Sequence, residues 1–385
     1  MGGVNRADDG TGGVGGMRGG GGGGGGWGGA NLLALRSHNT ALVLDLLRTA
    51  GADGISRLEL AERTGLTPQA VSKITARLRE DGLAAEAGRR ASTGGKPRTV
   101  LRLVPEAGHA VGVHLDRDEV RVVLVDLRGT VVEERRSALD LGAGAEAVLG
   151  AVREAVAEVL PTGLGRAALL GAGVALPGPL DHARGVLHRV TGFPEWDGFP
   201  LRDALTGRLG VPVVVDKDTN AAALGLAAGG EGGSFAYLHL GTGLGAGLVI
   251  GGRVHRGART GAGEFGHQVI QLDGPPCTCG DRGCVEALCL GAVARGDLGE
   301  AARVLGAGAA NLVGLLDIDV VLLGGRTVAA APEAFVRGVG AVLADRARRT
   351  GQDAVPVRLA PGGGRTVAAG AAQLLLGPVF GREVG

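Results

Sequence analysis

Three cysteines and a histidine stand within eighteen residues of one another in the second half of the chain. Cys277, Cys279 and Cys284 follow His267 in a glycine-rich segment. Thiolate and imidazole are donors that zinc prefers, and four of them close a tetrahedral structural site with no open position. Buried free thiols are the alternative, because free cysteine packs well as a small apolar side chain. Glycines around the thiols permit tight turns, and the spacing therefore favours a structural Zn²⁺ site.

The composition limits the kind of chain that must position these residues. With 385 residues the chain is long enough for two or three domains, each with its own core. The sequence has neither an apolar run that could span a membrane nor a basic-then-apolar leader, so we expect a cytoplasmic protein with no membrane partner. The fourth cysteine, Cys289, is expected to pack as a small apolar side chain, since four cysteines in such a long chain do not indicate a disulfide framework.

The N-terminal part of the chain differs from the rest in composition and charge. Glycine dominates residues 1–30, with an unbroken run over residues 19–26. Such a segment buries too little to offset the entropy of ordering, which predicts a disordered tail. Residues 31–100 carry eleven Lys or Arg against seven Asp or Glu, a net charge of +4, whereas the whole chain has a formal net charge of +1. Basic charge concentrated in one segment favours contact with nucleic acid.

Residues 32–82 predict three helices. The second begins with a capping box formed by Ser56 and Glu59, and the third begins with Thr67 as N-cap and Pro68 in the first helical position. Two short helices joined by a tight glycine-containing turn form a helix-turn-helix. Extended segments at residues 83–87 and 99–104, joined by a turn over residues 89–96, then predict a wing.

The third helix places polar residues opposite its apolar face. Polar residues near the start of a recognition helix can meet base edges, and basic residues further along suit phosphates. A solvated helix face is the alternative, since exposed polar residues are common on any surface helix. Thr75 is assigned to the same outer face. The residues predicted to contact DNA are Gln69, Ser72, Lys73 and Arg77 on this helix, with Lys96 and Arg98 at the tip of the wing.

The remainder of the chain alternates between strand and helix patterns. Strands are predicted near residues 111–113, 120–126, 168–174 and 211–215, separated by alanine- and leucine-rich helical stretches. This alternation predicts an α/β architecture.

The run Glu264-Phe-Gly-His267, followed by Cys-x-Cys-Gly-x-x-Gly-Cys-x-Glu and ending at Glu286, resembles the signature of the ROK family. That family contains sugar kinases and sugar-responsive repressors, and the repressors carry a winged helix-turn-helix that the kinases lack. The resemblance implies an N-terminal winged helix-turn-helix over residues 31–104, followed by an actin-like, ribonuclease H-like domain of two lobes over residues 105–385.

The resemblance also implies a sugar pocket. Glu264, His267 and Glu286 match residues that line it, and His267 would use one ring nitrogen for zinc. Asp218 matches the catalytic aspartate of the kinases, although a turn-capping aspartate is the alternative. Lys217 stands where the family usually has a sugar-binding asparagine, and a second usual asparagine is replaced by glycine at position 192.

The first phosphate loop of the kinases is changed in this chain. The family's Asp-x-Gly-Gly-Thr-Lys is matched by residues 114–119, in which both glycines are lost and Asp116, Asp118 and Glu119 stand together. At about 4 Å and an effective dielectric of about 20, each like-charge pair costs about 4 kcal/mol, so this loop should repel ATP. The second glycine loop, residues 241–247, is intact.

These observations predict a sugar-responsive DNA-binding regulator, most simply a repressor of carbohydrate genes, and not an enzyme. Its partners would be operator DNA, a sugar or sugar derivative, and further copies of itself in a dimer or tetramer. Asp218 would be a vestige of catalysis. The alternatives are an ATP-dependent sugar kinase, favoured by Asp218, and a degenerate sugar-binding regulator without effector, suggested by a segment after Glu286 that is shorter than usual in the family.

Overall fold

A computed structural model describes residues 38–92, 95–165, 168–188, 190 and 193–382. The predicted disordered tail, residues 1–30, lies outside the described residues, and so does the glycine at position 192. The side chains of residues 90–97, including that of Lys96, also lie outside the description.

The N-terminal head is a three-helix unit with a small antiparallel sheet. It comprises α1 (His38–Thr49), β1 (Ile55–Ser56), α2 (Arg57–Thr64), α3 (Pro68–Glu80), β2 (Ala84–Ser92) and β3 (Gly95–Leu103), with the strand order β1-β3-β2. The capping box of Ser56 and Glu59 is present, and Thr67 accepts a hydrogen bond from the backbone N–H of Ala70 at the start of α3. The helix-turn-helix is therefore confirmed.

The wing differs from its prediction. Residues 89–96 were expected to form a turn, but β2 continues to Ser92 and β3 resumes at Gly95. The antiparallel ladder persists because Arg89 pairs with Thr99 and Arg90 with Arg98. The wing is thus a longer hairpin than the sequence pattern indicated.

The rest of the chain forms two lobes, each built on a five-stranded sheet. The first lobe contains β4 (His109–Leu115), β5 (Glu119–Asp126), β6 (Val131–Ala138), α4 (Ala145–Val159), β7 (Leu169–Leu176), β8 (Leu180–Asp181), β9 (Val186–Leu187), α5 (Leu201–Leu209) and β10 (Val213–Lys217). The second contains β11 (Phe235–Leu240), β12 (Leu244–Ile250), β13 (Arg253–Val254), α7 (Val285–Ala294), α8 (Leu298–Leu316), β14 (Val320–Gly324), α9 (Arg326–Ala330), α10 (Pro332–Thr350) and β15 (Val357–Leu359). Their strand orders are β10-β7-β4-β5-β6 and β13-β12-β11-β14-β15. The α/β prediction is confirmed.

Two alanine-rich helices, α6 (Asp218–Ala228) and α11 (Thr366–Val379), lie between the sheets and against each other. A Cβ atom on Gly370 would lie 2.0 Å from the carbonyl oxygen of Ala221, and one on Gly112 would lie 1.9 Å from that of Ala368. Glycine is required at both positions because the backbones approach so closely. The packing of α11 on α6 and on the first sheet is therefore rigid.

The head shares its hydrophobic core with the two-lobed part. Leu44 and Leu47 of α1 belong to the same buried cluster as Val379 and Phe380 at the end of α11. The guanidinium of Arg48 lies 4.9 Å from the centre of the Phe380 ring. The domain division at residues 104 and 105 stays a prediction, and this common core crosses it. None of the helices in the described ranges has the length and apolar character needed to span a membrane.

Candidate functional site

The four predicted metal ligands come together. The donor atoms of His267, Cys277, Cys279 and Cys284 all lie within 4.8 Å of one another. Sγ of Cys279 is 3.7 Å from Sγ of Cys284, and Sγ of Cys277 is 3.6 Å from Nδ1 of His267. Tetrahedral zinc, with metal–sulfur bonds of about 2.3 Å, needs ligand separations of about 3.5 to 3.8 Å. The donor set has the chemistry of a structural zinc site, and the two separations above match its geometry.

Local backbone geometry explains how so short a segment collects these donors. Cys284 is the N-cap residue of α7, and an isolated bridge pairs it with Val269. Gly283 has a φ of +68°, and a Cβ there would lie 1.6 Å from the carbonyl oxygen of Gln271. Burial raises the pKa of the Cys284 thiol to about 12, and hydrogen bonds within the thiol cluster add to the rise. A bound divalent cation supplies the charge that stabilises thiolates in such a setting.

Cys289 stands apart from this set. It is fully buried, its thiol lies 3.4 Å from the carbonyl oxygen of Ala301, and burial raises its pKa to about 12. It packs as a small apolar side chain, as the sequence predicts.

The five residues predicted to bind sugar surround one cavity in the cleft between the lobes. They come from three places, the β10–α6 junction, the loop before the cysteines and the start of α7, and they are Lys217, Asp218, Glu264, His267 and Glu286. Because Nδ1 of His267 faces the thiols, Nε2 is the ring nitrogen left for a ligand in the cavity. One histidine can thus serve both the metal and the cavity.

Lys217 and Glu264 are joined across the cavity. Nζ of Lys217 lies 2.5 Å from Oε1 of Glu264 and 3.0 Å from the carbonyl oxygen of Ala262. The lysine side chain is only 4% exposed, whereas that of Glu264 is 44% exposed. Lys217 therefore holds the carboxylate of Glu264 in place at the cavity wall.

Asp218 and Glu286 meet backbone donors. Asp218 is the first residue of α6, and its Oδ1 accepts a hydrogen bond of 2.6 Å from the N–H of Thr219. Oε2 of the buried Glu286 accepts one of 2.8 Å from the N–H of Leu244. Each carboxylate keeps a second oxygen with acceptor capacity, which suits sugar hydroxyl groups.

The sequence did not predict three of the residues that line this cavity, nor an ion pair that lies behind it. Asp116 and His239 also line the cavity, and so does Thr219, whose buried hydroxyl has no partner in the described part of the chain. Behind the cavity, Asp216 forms a buried ion pair with Arg256 at 2.6 Å. Thr219 directly follows Asp218 at the start of α6, and this position is the signal by which the sequence could have identified it. The ion pair had no such signal, because Arg256 is 40 positions from Asp216.

Trp196 belongs to the core of the first lobe, where its side chain is 1% exposed. Its Nε1 donates a hydrogen bond of 3.0 Å to the carbonyl oxygen of Leu141, and Phe199 packs edge-on against the indole at 5.1 Å.

The acidic loop is the turn between β4 and β5, and its carboxylates are paired. Arg326, the first residue of α9, donates to Oδ1 of Asp118 at 2.6 Å and to Oδ2 of Asp116 at 3.2 Å. The hydrogen bond from Arg326 lowers the pKa of Asp118. Glu119 is paired with Arg121 and Arg136. That this loop repels ATP stays a prediction, and the arginines paired with its three carboxylates offset part of their charge.

The same turn joins the two lobes. Thr242, in the turn between β11 and β12, donates a hydrogen bond of 2.9 Å to Oδ1 of Asp116. Arg326 also belongs to the second lobe. Asp116 thus contacts two elements of the second lobe across the cleft, the β11–β12 turn and α9, at the edge of the cavity.

His114 precedes this turn and is buried. Burial lowers its pKa to about 4, although the nearby carboxylates of Asp218 and Asp116 oppose the shift. Its ring meets that of His239 edge-on at 6.1 Å. A neutral imidazole is therefore held next to the cavity at neutral pH.

The head presents its predicted DNA-contacting side chains to the outside. Gln69, Ser72, Lys73 and Arg77 are exposed on α3, and Arg98 is exposed on β3. Arg77 lies 3.8 Å from Asp81, a pair that solvent weakens.

Thr75 was wrongly assigned to the outer face of α3. It is fully buried, donates to the carbonyl oxygen of Val71 at 2.9 Å and accepts from Nε of Arg57 at 3.2 Å. Its hydroxyl is satisfied within the head, which lets a polar residue occupy the inner face.

The fold and the cavity define the class: two lobes with related sheets enclosing a polar cleft, preceded by a winged helix-turn-helix. The ROK family model matches residues 110–299, and a winged helix-turn-helix DNA-binding model matches residues 43–84. A solved ROK hexokinase from Thermus thermophilus is 32% identical, with a TM-score of 0.56, and the match covers 70% of this chain and 99% of that one. The chain belongs to the ROK family.

Proteins named as transcriptional regulators are also similar to this chain. The xylose repressor of Bacillus subtilis is 29% identical over 238 residues, and the DNA-binding transcriptional dual regulator NagC of Escherichia coli is 32% identical over 266 residues. These matches cover 60% and 67% of this chain but 61% and 64% of the relatives' own lengths. A solved ROK family transcriptional regulator, a homologue of the Escherichia coli MLC protein, has the same fold over 89% of this chain and 96% of its own, with a TM-score of 0.70 at 22% identity.

Proposed function

We propose that this protein is a sugar-responsive DNA-binding transcriptional regulator, acting as a repressor of genes for carbohydrate use. The observation that carries the proposal is the packing of a winged helix-turn-helix onto the end of α11, whose first turn, at Val367, lines an opening together with Asp116 and Arg326. The regulatory relatives named above support it. Operator DNA and a sugar effector are the partners that this arrangement serves.

In this proposal α3 enters the major groove. Gln69, Ser72 and Lys73 near its start read base edges, and Arg77 contacts phosphate. Lys96 and Arg98 of the wing add phosphate or minor-groove contacts. Counterion release makes the binding strongly dependent on salt.

The cleft binds the sugar through its polar wall. Carboxylates of Asp218, Glu264 and Glu286 accept hydrogen bonds from hydroxyl groups, and Nε2 of His267 adds a further polar contact. Lys217 positions Glu264. Zn²⁺ bound by His267 and the three cysteines stabilises the loop that places His267 in the cavity wall.

The helix α6 connects the sugar to the head. Asp218 at its start faces the cavity, and the carbonyl oxygen of Ala228 at its end accepts a hydrogen bond of 3.3 Å from Arg382. Arg382 in turn lies 3.2 Å from Asp45 of α1. A sugar that shifts α6 therefore shifts the head, and by linkage DNA binding changes sugar affinity equally. In a homodimer or tetramer, the spacing between DNA-binding heads would change.

A sugar kinase is the second candidate, favoured by Asp218 at the cavity and by the hexokinase relative. We propose that the protein is not an enzyme. The turn that should approach ATP phosphates is occupied by carboxylates that Arg326 and Thr242 hold across the cleft. A polyanion would have to break these contacts.

The test uses the full chain with DNA selected from a random library by repeated binding. Fluorescence anisotropy at several salt concentrations should give an affinity that falls as salt rises, and a panel of pentoses and hexoses should contain one that changes it. Salt-insensitive or absent DNA binding, together with ADP release from ATP and a hexose in a coupled assay, would establish the kinase instead. DNA binding that no sugar changes would favour a regulator without effector.

A further inference from the structure

The charges around the cavity are unbalanced. Four carboxylates and two cations line it, a formal charge of −2 with the histidines neutral, and they are Asp116, Asp218, Glu264 and Glu286 against Arg117 and Lys217. A ligand that enters therefore meets a negative surface.

One of the two cations of the wall, Lys217, is paired with a carboxylate, and the other, Arg117, contacts an aromatic ring. Nζ of Lys217 is held by Glu264 at 2.5 Å and by the carbonyl oxygen of Ala262 at 3.0 Å. The guanidinium of Arg117 lies over the ring of Phe193, 5.7 Å from its centre. Stacking on Phe193 leaves the N–H donors of Arg117 available, so a phosphate group would meet this one cation against four carboxylates.

Two of the carboxylates have no cationic partner within the described ranges. Asp218 and Glu286 are hydrogen-bonded only to the backbone N–H groups of Thr219 and Leu244. Asp116, by contrast, is paired with Arg326 at 3.2 Å. The negative charge is thus concentrated at the start of α6 and the start of α7, on either side of the space that a sugar would fill.

We infer that the cavity selects an unphosphorylated sugar, uncharged or amino-substituted, and rejects sugar phosphates and uronic acids. This inference rests on the proposed function. Hydroxyl groups donate to the free carboxylate oxygens of Asp218 and Glu286. A phosphate or carboxylate offers only acceptors to a wall in which four carboxylates face two cations, so its charge is repelled. The regulator would then respond to the substrate of a sugar-phosphorylating reaction and not to its product.

The test compares matched ligands by calorimetry and by release of the selected DNA. Glucose, glucose 1-phosphate, glucose 6-phosphate and glucuronate form one series, and xylose, N-acetylglucosamine and N-acetylglucosamine 6-phosphate extend it. For whichever sugar binds, we expect the Kd of its phosphate to be at least about tenfold higher, corresponding to about 1.4 kcal/mol. Asp218→Asn should reduce this ratio by about threefold or more, because one repelling charge is removed. Asp353→Asn, the same change at an exposed remote site, should leave the ratio unchanged.

The outcomes separate this inference from the function on which it rests. A phosphate that binds as tightly as its free sugar, or more tightly, overturns the inference while the sugar-responsive regulator stands. An Asp218→Asn variant that still binds free sugar with an unchanged ratio refutes the electrostatic cause. DNA binding without response to any free or phosphorylated sugar removes both the inference and the sugar response.

Discussion

Arg382 lies 3.2 Å from Asp45, and because the two residues are 337 positions apart, this contact joins the two ends of the described chain. Through its other terminal nitrogen, Arg382 donates to the carbonyl oxygen of Ala228 at the end of α6. One guanidinium thus joins the first helix of the head to the helix that begins at the cavity. Arg48 binds the same carboxylate at 3.1 Å and also packs over Phe380.

Arg382→Ala should weaken communication between sugar and DNA more than it weakens the fold. The Arg382 and Asp45 side chains are about one third exposed, so we expect the free energy of unfolding to fall by less than about 1 kcal/mol. The factor by which a saturating sugar changes DNA affinity should move toward one. Anisotropy with and without sugar measures this factor.

The matched control is Arg303→Ala, which removes an exposed arginine paired with Glu300 within α8. It should leave the sugar-induced factor unchanged. An Arg382→Ala protein that keeps the full factor would show that coupling does not pass through this contact.

Cys279→Ser should lower both metal content and sugar affinity. Zinc binding needs the complete donor set, and the loop it fixes carries His267 and leads back to Glu264. Elemental analysis of the purified protein should give less than one zinc per chain, with Kd for the bound sugar raised at least about tenfold. Cys289→Ala, at the cysteine outside the set, should retain the metal. Normal sugar affinity without metal would disprove the link between the zinc loop and the cavity.

The features that the sequence predicted correctly are local ones. The capping box at Ser56 and the grouping of His267 with the three cysteines depend on short spacings, which can be read directly from a sequence. The sequence also predicted where strands lie, but not where they end. The ends depend on pairing with a neighbouring strand, as in the β2–β3 ladder, which continues to the pair Ser92 and Gly95.

The pairing of charged residues was the main feature that could not be predicted from the sequence. The sequence did not indicate a partner for Asp118, because Arg326 is 208 residues further along the chain. Thr75 was assigned to the surface because it is polar, although Arg57 and a backbone carbonyl satisfy its hydroxyl in the interior. In both positions a long-range contact determined the environment, and no local pattern reports such contacts.

The buried His114 should make the protein less stable in weak acid. Its folded pKa of about 4 lies below its ordinary value of about 6.5, so the unfolded chain binds more protons between these values. Its contribution to stability is complete above pH 6.5, falls by up to about 1.4 kcal/mol per pH unit below it, and falls no further below about pH 4. His114→Gln should flatten the pH dependence in this window, as measured by urea unfolding at half-unit steps. An unchanged slope in the variant would assign the acid sensitivity to other groups.

Arg326→Ala should release the pKa of Asp118 toward its ordinary value. Because the folded pKa of Asp118 is depressed, the stability it contributes is present above the unfolded pKa of about 3.9 and is lost as the pH falls through the folded value. The difference in stability between parent and variant should therefore be present at pH 7 and shrink in acid. Asp118→Asn supplies the matched comparison, and the double variant should resemble either single variant if the pair acts as a unit.

Lys73→Ala on α3 should weaken DNA binding at all salt concentrations. If Lys73 contacts a phosphate, the slope of log K against log salt should decrease by about one, and the loss should be similar for selected and unrelated DNA. If it reads a base edge, as its place near the start of α3 favours, the loss should be concentrated on the selected sequence and reach about 1 to 3 kcal/mol. Arg337→Ala on α10, an exposed charge of the same sign with Glu333 as its partner, provides the control for net charge. Equal losses in the two variants would mean that α3 is a solvated surface helix and that the DNA-binding surface lies elsewhere.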